Sequence, residues 1–306
     1  MCTAISVNSN GLYFGRTMDV SRLFDGRVLT VPRKYPMGET FGCPLTDHYA
    51  VTGMAAVVDG YPLFADGFNE AGLCMAALSF PKSAVYTSGA QEGKTALGSF
   101  ELIPHILGLC GSVSEAKALL RSITVSDVSF RADIPATPLH WLIADESGAL
   151  VVESVAEGLM LYGEESGLLT NEPPYPFHKA NAELYSRLSQ RDGEGSPVTH
   201  GLGALGLPGD WSSPSRFIRG DFLLRSCELP LASEEEGRVD FIFEMLSAIA
   251  LPEGVVTTGD GETHHTHYPC CMKPKSGIYY LKRHGKLSLC VHAVSESLRS
   301  GSRIIY

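Results

Sequence analysis

The chain opens MCTAISVNSNGLYFGRTMDV, with two apolar runs on either side of an Asn-Gly pair. That pattern commits its start to an antiparallel hairpin, because Asn and Gly both tolerate the positive φ of a tight turn. With Asn10-Gly11 as a two-residue loop, Asp19 lies opposite Cys2. A slip of one residue still leaves Cys2 beside the GRTMD segment.

Cys2 is the unusual member of this hairpin. A thiol packed in a buried strand is one reading; a nucleophile is the other. If Met1 is removed, the Cys2 α-amine, with an ordinary pKa of about 7.7–8.0, accepts the thiol proton without a distant histidine. Arg16 beside the sulfur favours thiolate, and Asp19 orients the amine by hydrogen bonding. The alternative for GRTMD is a strand end with an exposed ion pair.

Beyond the hairpin, strand-like runs fall at 28–32, 50–58 and 73–80. Helical spacing spans 100–110, and the Ser-x-x-Glu capping box at 112–115 starts another helix. Strands return at 139–145, 149–154 and 159–163, helices at 178–190, 215–228 and 239–250, and strands at 277–282 and 286–292, joined by RHGK. Blocks of strands and blocks of helices predict an α+β fold with mainly antiparallel sheets. No composition shift marks a linker, so 1–306 reads as a single domain. The stretch 189–215 is too rich in Gly, Pro and Ser for an element and reads as a long loop, of the kind that is functional or disordered.

Composition narrows the function. Hydrophobic residues make up 44% against 19% charged, which supplies a sizeable core. A net charge of −10 with no basic stripe argues against nucleic acid. No secretory leader and no apolar run of membrane-spanning length is visible. The eight cysteines, at 2, 43, 74, 110, 227, 270, 271 and 290, are scattered rather than framed, as expected for thiols in a reducing cytoplasm. GAQEGKT (89–95) is too short for a phosphate loop. THHTHYPCC offers His264, His265, His267, Cys270 and Cys271 to a metal, but their spacing matches no zinc pattern. They read as a polar loop entering a strand with two half-buried thiols.

Specificity comes from several segments in order: MCT and FGRTMD, FADGFNEAGL and ALSFP, LHWLIAD with VVE, LLTNEP, and GLPGDWSSPSRFIR. Together they resemble the choloylglycine hydrolase family, which includes bile salt hydrolases and penicillin V acylases. The resemblance implies a four-layer αββα N-terminal nucleophile hydrolase fold, often homotetrameric, that cleaves a linear amide through an acyl-enzyme without cofactor or metal. It implies Cys2 as nucleophile, Arg16 beside the thiol, Asp19 on the amine, Asn171 as oxyanion donor and Arg216 as a second active-site arginine. The backbone N–H of Ser79 becomes the other oxyanion donor. Met18, Val58, Ala65, Phe130 and Ile134 fall at its pocket positions, and 201–210 at the mouth. Ser79 departs from the pattern: bile salt hydrolases usually carry Asn there and penicillin V acylases often Tyr. The expected reaction is hydrolysis of conjugated bile salts to glycine or taurine and free bile acid. Its rivals are a penicillin V acylase, a bile acid binder without activity, and a metal-binding protein.

Overall fold

The structure, a computed structural model, describes all residues except 23–24, 39–44, 165–166, 193–199, 227–234, 260, 284–288 and 294. Cys43, Cys227, most of the RHGK turn and part of the 189–215 loop lie outside the described residues.

The hairpin forms from β1 (Cys2–Asn8) and β2 (Leu12–Val20), one residue out of the expected register. Cys2 faces Met18 and Asn8 faces Leu12. The turn is a three-residue loop in which Asn10 (φ 51°) and Gly11 (φ 120°) both take positive φ. Ser9 N–H donates to Gly11 O at 3.0 Å, which uses the residue a two-residue turn would leave in the strand. Asp19 therefore faces Met1: Met1 N donates to Asp19 O at 2.5 Å and Asp19 N to Met1 O at 3.0 Å.

An antiparallel meander follows: β3 (Arg27–Val31), β4 (Val51–Val58), β5 (Tyr61–Asn69) and β6 (Cys74–Ser79). The sequence reading has no β5, because a bulge at Ala65, together with Pro62 and Gly67, breaks its alternation. β7 (Thr95–Gly98) and β8 (Ile123–Ser126), also unanticipated, form a small parallel pair around α1 (Leu102–Leu109) and α2 (Val113–Leu120). The capping box holds: Ser112 Oγ accepts from Glu115 N. β9 (Leu139–Asp145), β10 (Gly148–Val155) and β11 (Gly158–Glu164) extend the meander beyond β6, whereas β12 (Leu168–Leu169) pairs with β1. Then come α3 (Tyr175–Glu183), α4 (Ser213–Ser226) and α5 (Glu235–Ser247), followed by β13 (Val256–Thr257), β14 (Thr263–Lys273), β15 (Ile278–Lys282), β16 (Leu289–Ala293) and α6 (Glu296–Arg299).

The first sheet runs β12-β1-β2-β14-β15-β16 with β13 on β14, and the second β11-β10-β9-β6-β5-β4-β3. Period-two alternation gives the central strands β1, β2, β6, β9 and β10 two largely buried faces. One cluster joins Ala4, Phe14 and Met18 to Met54, Ala76 and Leu142 between the sheets, and joins Ile5 and Tyr13 to Phe217, Ile242 and Leu246 on α4 and α5. A second packs Met75, Ala77, Trp141 and Ile143 against Leu102, Ile103 and Ile106 on α1 and Leu120 on α2. The layers are therefore helix, sheet, sheet, helix. Gly15 lets the first pair close up, since a Cβ there would stand 2.8 Å from the Ile242 side chain.

Candidate active site

The two faces of the hairpin carry different chemistry. Towards the second sheet point Cys2, Arg16 and Met18; towards α4 point Thr3, Thr17 and Asp19. On the first face the buried Cys2 thiol accepts from Arg16 Nη2 at 3.1 Å. Arg16 is completely buried. Its Nη1 donates to Ala65 O at 2.8 Å and to Asp66 Oδ2 at 3.1 Å.

On the other face, Asp19 accepts from Thr17 Oγ1 (3.0 Å) and Thr266 Oγ1 (2.6 Å), with Arg216 Nη1 at 3.9 Å. Arg216, fully buried on α4, donates to Cys2 O (2.7 Å), Thr3 Oγ1 (2.6 Å) and Asn171 Oδ1 (2.7 Å). Asn171 Oδ1 also accepts from Cys2 N at 2.7 Å. With Met1 in place that nitrogen is a peptide N–H; without Met1 it is the α-amine. Burial works against the charge on both arginines. At Arg16 the acidic neighbours Cys2, Tyr268 and Asp66 outweigh it and hold the guanidinium well above its ordinary value. At Arg216 burial outweighs Asp19 and Cys2, and the value drops.

Ser79 ends β6 of the second sheet and Asn171 lies just beyond β12 of the first, and the two meet. Asn171 Nδ2 donates to Ser79 O at 2.8 Å, which leaves its second amide hydrogen for another acceptor. Phe80 N bonds Pro138 O at 2.9 Å, and antiparallel alternation then turns the Ser79 N–H away from β9, towards β5. There β5–β6 pairing has already stopped, at Asp66 opposite Ala76. Beyond that point lies a largely apolar cavity of about 400 Å³, with Cys2, Arg16 and Ser79 in its wall. Two larger hollows, of about 570 and 590 Å³, surround Asn8 and Glu146 and Arg33 and Glu70 instead, and hold none of these residues.

Residues 2–299 match the family described as linear amide C–N hydrolases, choloylglycine hydrolase family. The chain belongs to that family. It is 37% identical to a bile salt hydrolase/transferase of Lactiplantibacillus plantarum, over 92% of this chain and 89% of the relative. Among solved structures, a variant of the conjugated bile acid hydrolase from Clostridium perfringens superposes with a TM-score of 0.90 at 31% identity, covering 100% of this chain and 96% of that one. A penicillin V acylase from Agrobacterium tumefaciens shares the fold, with a TM-score of 0.78 at 18% identity over 99% and 90% of the two chains.

Of the residues that the family resemblance picks out, Cys2, Arg16, Asp19, Asn171, Arg216 and Ser79 come together in this choloylglycine hydrolase. Met18, Ala65 and Ile134 line the cavity. Val58 and Phe130 do not. Val58 lies at the far end of β4, opposite Tyr61, and Phe130 stands behind the wall, its ring 5.2 Å from that of Phe100, which does line it. No described residue of 201–210 lines the cavity either; Arg219 holds that segment to α4 through Pro208 O and Asp210 O.

The histidine-rich segment is a correction. It is not a loop: Thr263–Lys273 is one long strand, and Cys270 and Cys271 are fully buried rather than half-buried. The register shifts between Thr266 and Tyr268, leaving His267 as the extra residue. This bulge puts Thr266 on the Asp19 face and Tyr268 on the Arg16 face, where regular alternation would put both on one. His267 Nε2 lies 3.0 Å from Val20 O. Among the described residues no group of three or more His, Cys, Asp or Glu side chains gathers as a metal site.

Sequence reasoning missed Thr266, Asp66 and Ser213, whose Oγ accepts from Asn171 N at 2.8 Å and donates to Thr170 Oγ1 at 2.9 Å. Only Asp66 had a signal, a carboxylate amid the apolar residues of FADGF.

Proposed function

We propose that this family member hydrolyses conjugated bile salts, releasing glycine or taurine and the free bile acid through a thioester on Cys2. After loss of Met1, the α-amine takes the thiol proton and the sulfur attacks the amide carbonyl carbon. Arg16 stabilises the negative sulfur. The Asn171 amide and the Ser79 N–H hold the oxyanion, and the α-ammonium protonates the departing nitrogen as the C–N bond breaks. Water, deprotonated by the same amine, then cleaves the thioester and restores the thiol. Asp19 and Arg216 orient the amine and the Cys2 backbone. Met18, Ala65 and Ile134 contact the acyl group.

The observation that carries this reading is a thiol 3.1 Å from a buried guanidinium in the wall of an apolar cavity of about 400 Å³, a size within the usual range for small-molecule sites. The relatives named for bile salts agree with it. The same reading makes 1–306 one domain in a cytoplasmic homotetramer; Cys2, Cys74, Cys110, Cys270 and Cys271 are free thiols, in keeping with a reducing compartment.

Ser79 favours a test against a second substrate, since its side chain is neither of the two that usually stand there. We expect kcat/KM for glycocholate and taurocholate to exceed that for penicillin V, and Cys2→Ala to lose all turnover while keeping its Tm. Turnover by Cys2→Ala, or preference for penicillin V, overturns the reading.

A further inference from the structure

Asp66 is a carboxylate with no exposed surface, yet it lies on the second sheet and every strong partner it has lies on the first. Its Oδ2 accepts from Arg16 Nη1 (3.1 Å) and from Tyr268 OH (2.9 Å). Its Oδ1 accepts from Tyr279 OH at 2.7 Å. Those donors come from β2, β14 and β15, three neighbouring strands. Burial holds both phenols well above their ordinary values, so they remain proton donors to the carboxylate between them.

The local sequence is shaped to deliver this group. Met54 faces Asp66 but Ala55 faces Phe64, so Ala65 is an extra residue in β5. A bulge re-aims what it carries: the Ala65 carbonyl and the Asp66 carboxylate both meet Arg16 Nη1. One step along, Gly53 faces Gly67, and a Cβ on Gly53 would stand 2.1 Å from Asp66 O. The bulge on β14 supplies the other half, since it brings Tyr268 to this face.

We propose that Asp66, gripped by Tyr268 and Tyr279, is a positioning residue for the Cys2 nucleophile: it anchors the Arg16 guanidinium by Nη1 so that Nη2 faces the sulfur, and it shares that cation's charge with the thiolate. This rests on the reading of Cys2 as nucleophile. The guanidinium bridges the sulfur and the carboxylate at once, so its field at the sulfur is tempered rather than full. A tempered field suits a thiolate that must both attack and later leave. The remaining titratable groups around the sulfur are its own α-nitrogen, with Asp19 and Arg216 on the far face of the hairpin and Cys270 across β2 from Ala4.

The test uses the processed full-length enzyme. Asp66→Asn keeps an acceptor for the phenols and removes the charge. Alkylation of Cys2 by iodoacetamide, followed by peptide mapping across pH, reads the thiol directly; glycocholate turnover is read in parallel. The expected result is an alkylation midpoint lower by about one pH unit, because Arg16 now acts on the thiolate alone. With it, kcat falls about 100-fold and KM stays within about threefold, as for a misplaced reacting group. A folded Asp66→Asn whose midpoint does not fall, or whose kcat stays within about threefold of wild type, overturns the proposal. If that variant does not fold, Tyr279→Phe decides: the carboxylate keeps its charge and loses a donor, so the midpoint rises and kcat falls about tenfold, and an unchanged kcat overturns the proposal. Activity retained by Cys2→Ala in the same series would overturn the nucleophile reading instead.

Discussion

The hairpin around Cys2 and the segment 127–138 both border the same cavity and are built in opposite ways. Arg16, Asp19 and Arg216 have no exposed surface, and each is held from strands or helices far away in sequence. The 127–138 segment is largely exposed or half-buried. Arg131 braces it through Asp133 at 2.7 Å and Asp59 at 3.0 Å. Phe130 leans on Tyr61 and Phe100 at ring distances of 5.6 and 5.2 Å, and Ile134 reaches the cavity. The chemistry is thus set in buried strands and on α4, and one wall of the acyl site is left on a loop that can change without disturbing them.

If that division is real, substitutions on the two sides separate into kcat and KM effects. The largest loss is expected at Asn171→Ala, with kcat down by about 10²–10³ and KM little changed; a pure KM effect there breaks the contrast. Acid stability should also belong to the buried side. His178 Nε2 lies 2.8 Å from Asn171 O, and burial pushes its imidazole down to about 4. The unfolded chain takes up this proton below about 6.5 and the folded chain only below about 4, so stability present above pH 6.5 is lost towards pH 4, by up to about 3 kcal/mol. His178→Gln should flatten that part of the Tm–pH curve, and an equally steep curve contradicts the assignment.

On the loop side, Ile134→Ala should lower kcat/KM for cholate conjugates by about 10- to 100-fold. A conjugate with a short straight acyl chain should suffer far less; equal losses on both would place Ile134 in the machinery instead. Arg131→Gln should do least. We expect less than about a threefold change in KM at low salt, vanishing at high salt as exposed pairs are screened, with Tm unmoved.

Much of this was legible in sequence, though unevenly. The hairpin followed from Asn-Gly, but its register did not, because Ser9 joins the turn and no local pattern separates a two-residue loop from a three-residue one. Cys2, Arg16, Asp19, Asn171 and Arg216 could be named because each stands in a short motif; their mutual contacts span up to 214 positions, between Arg216 and Cys2, and no periodicity reports those. NEAGL, read as part of the family signature, is a structural turn: Asn69 Oδ1 accepts from Ala71, Gly72 and Leu73 N–H, and its amide donates to Leu107 O and Cys110 O. THHTHY was hidden for the same reason as β5. A bulge breaks the two-residue alternation by which strands are recognised, and both bulges sit where a side chain is turned towards Arg16.

The central claim is that processed Cys2 carries the acyl group. Acid quenching during turnover of glycocholate, followed by intact mass and peptide mapping, tests it most directly. The account predicts a chain without Met1 whose Cys2 peptide gains the mass of a cholyl thioester. Full turnover by a chain that keeps Met1, or an acyl group mapped to any other residue, would contradict it.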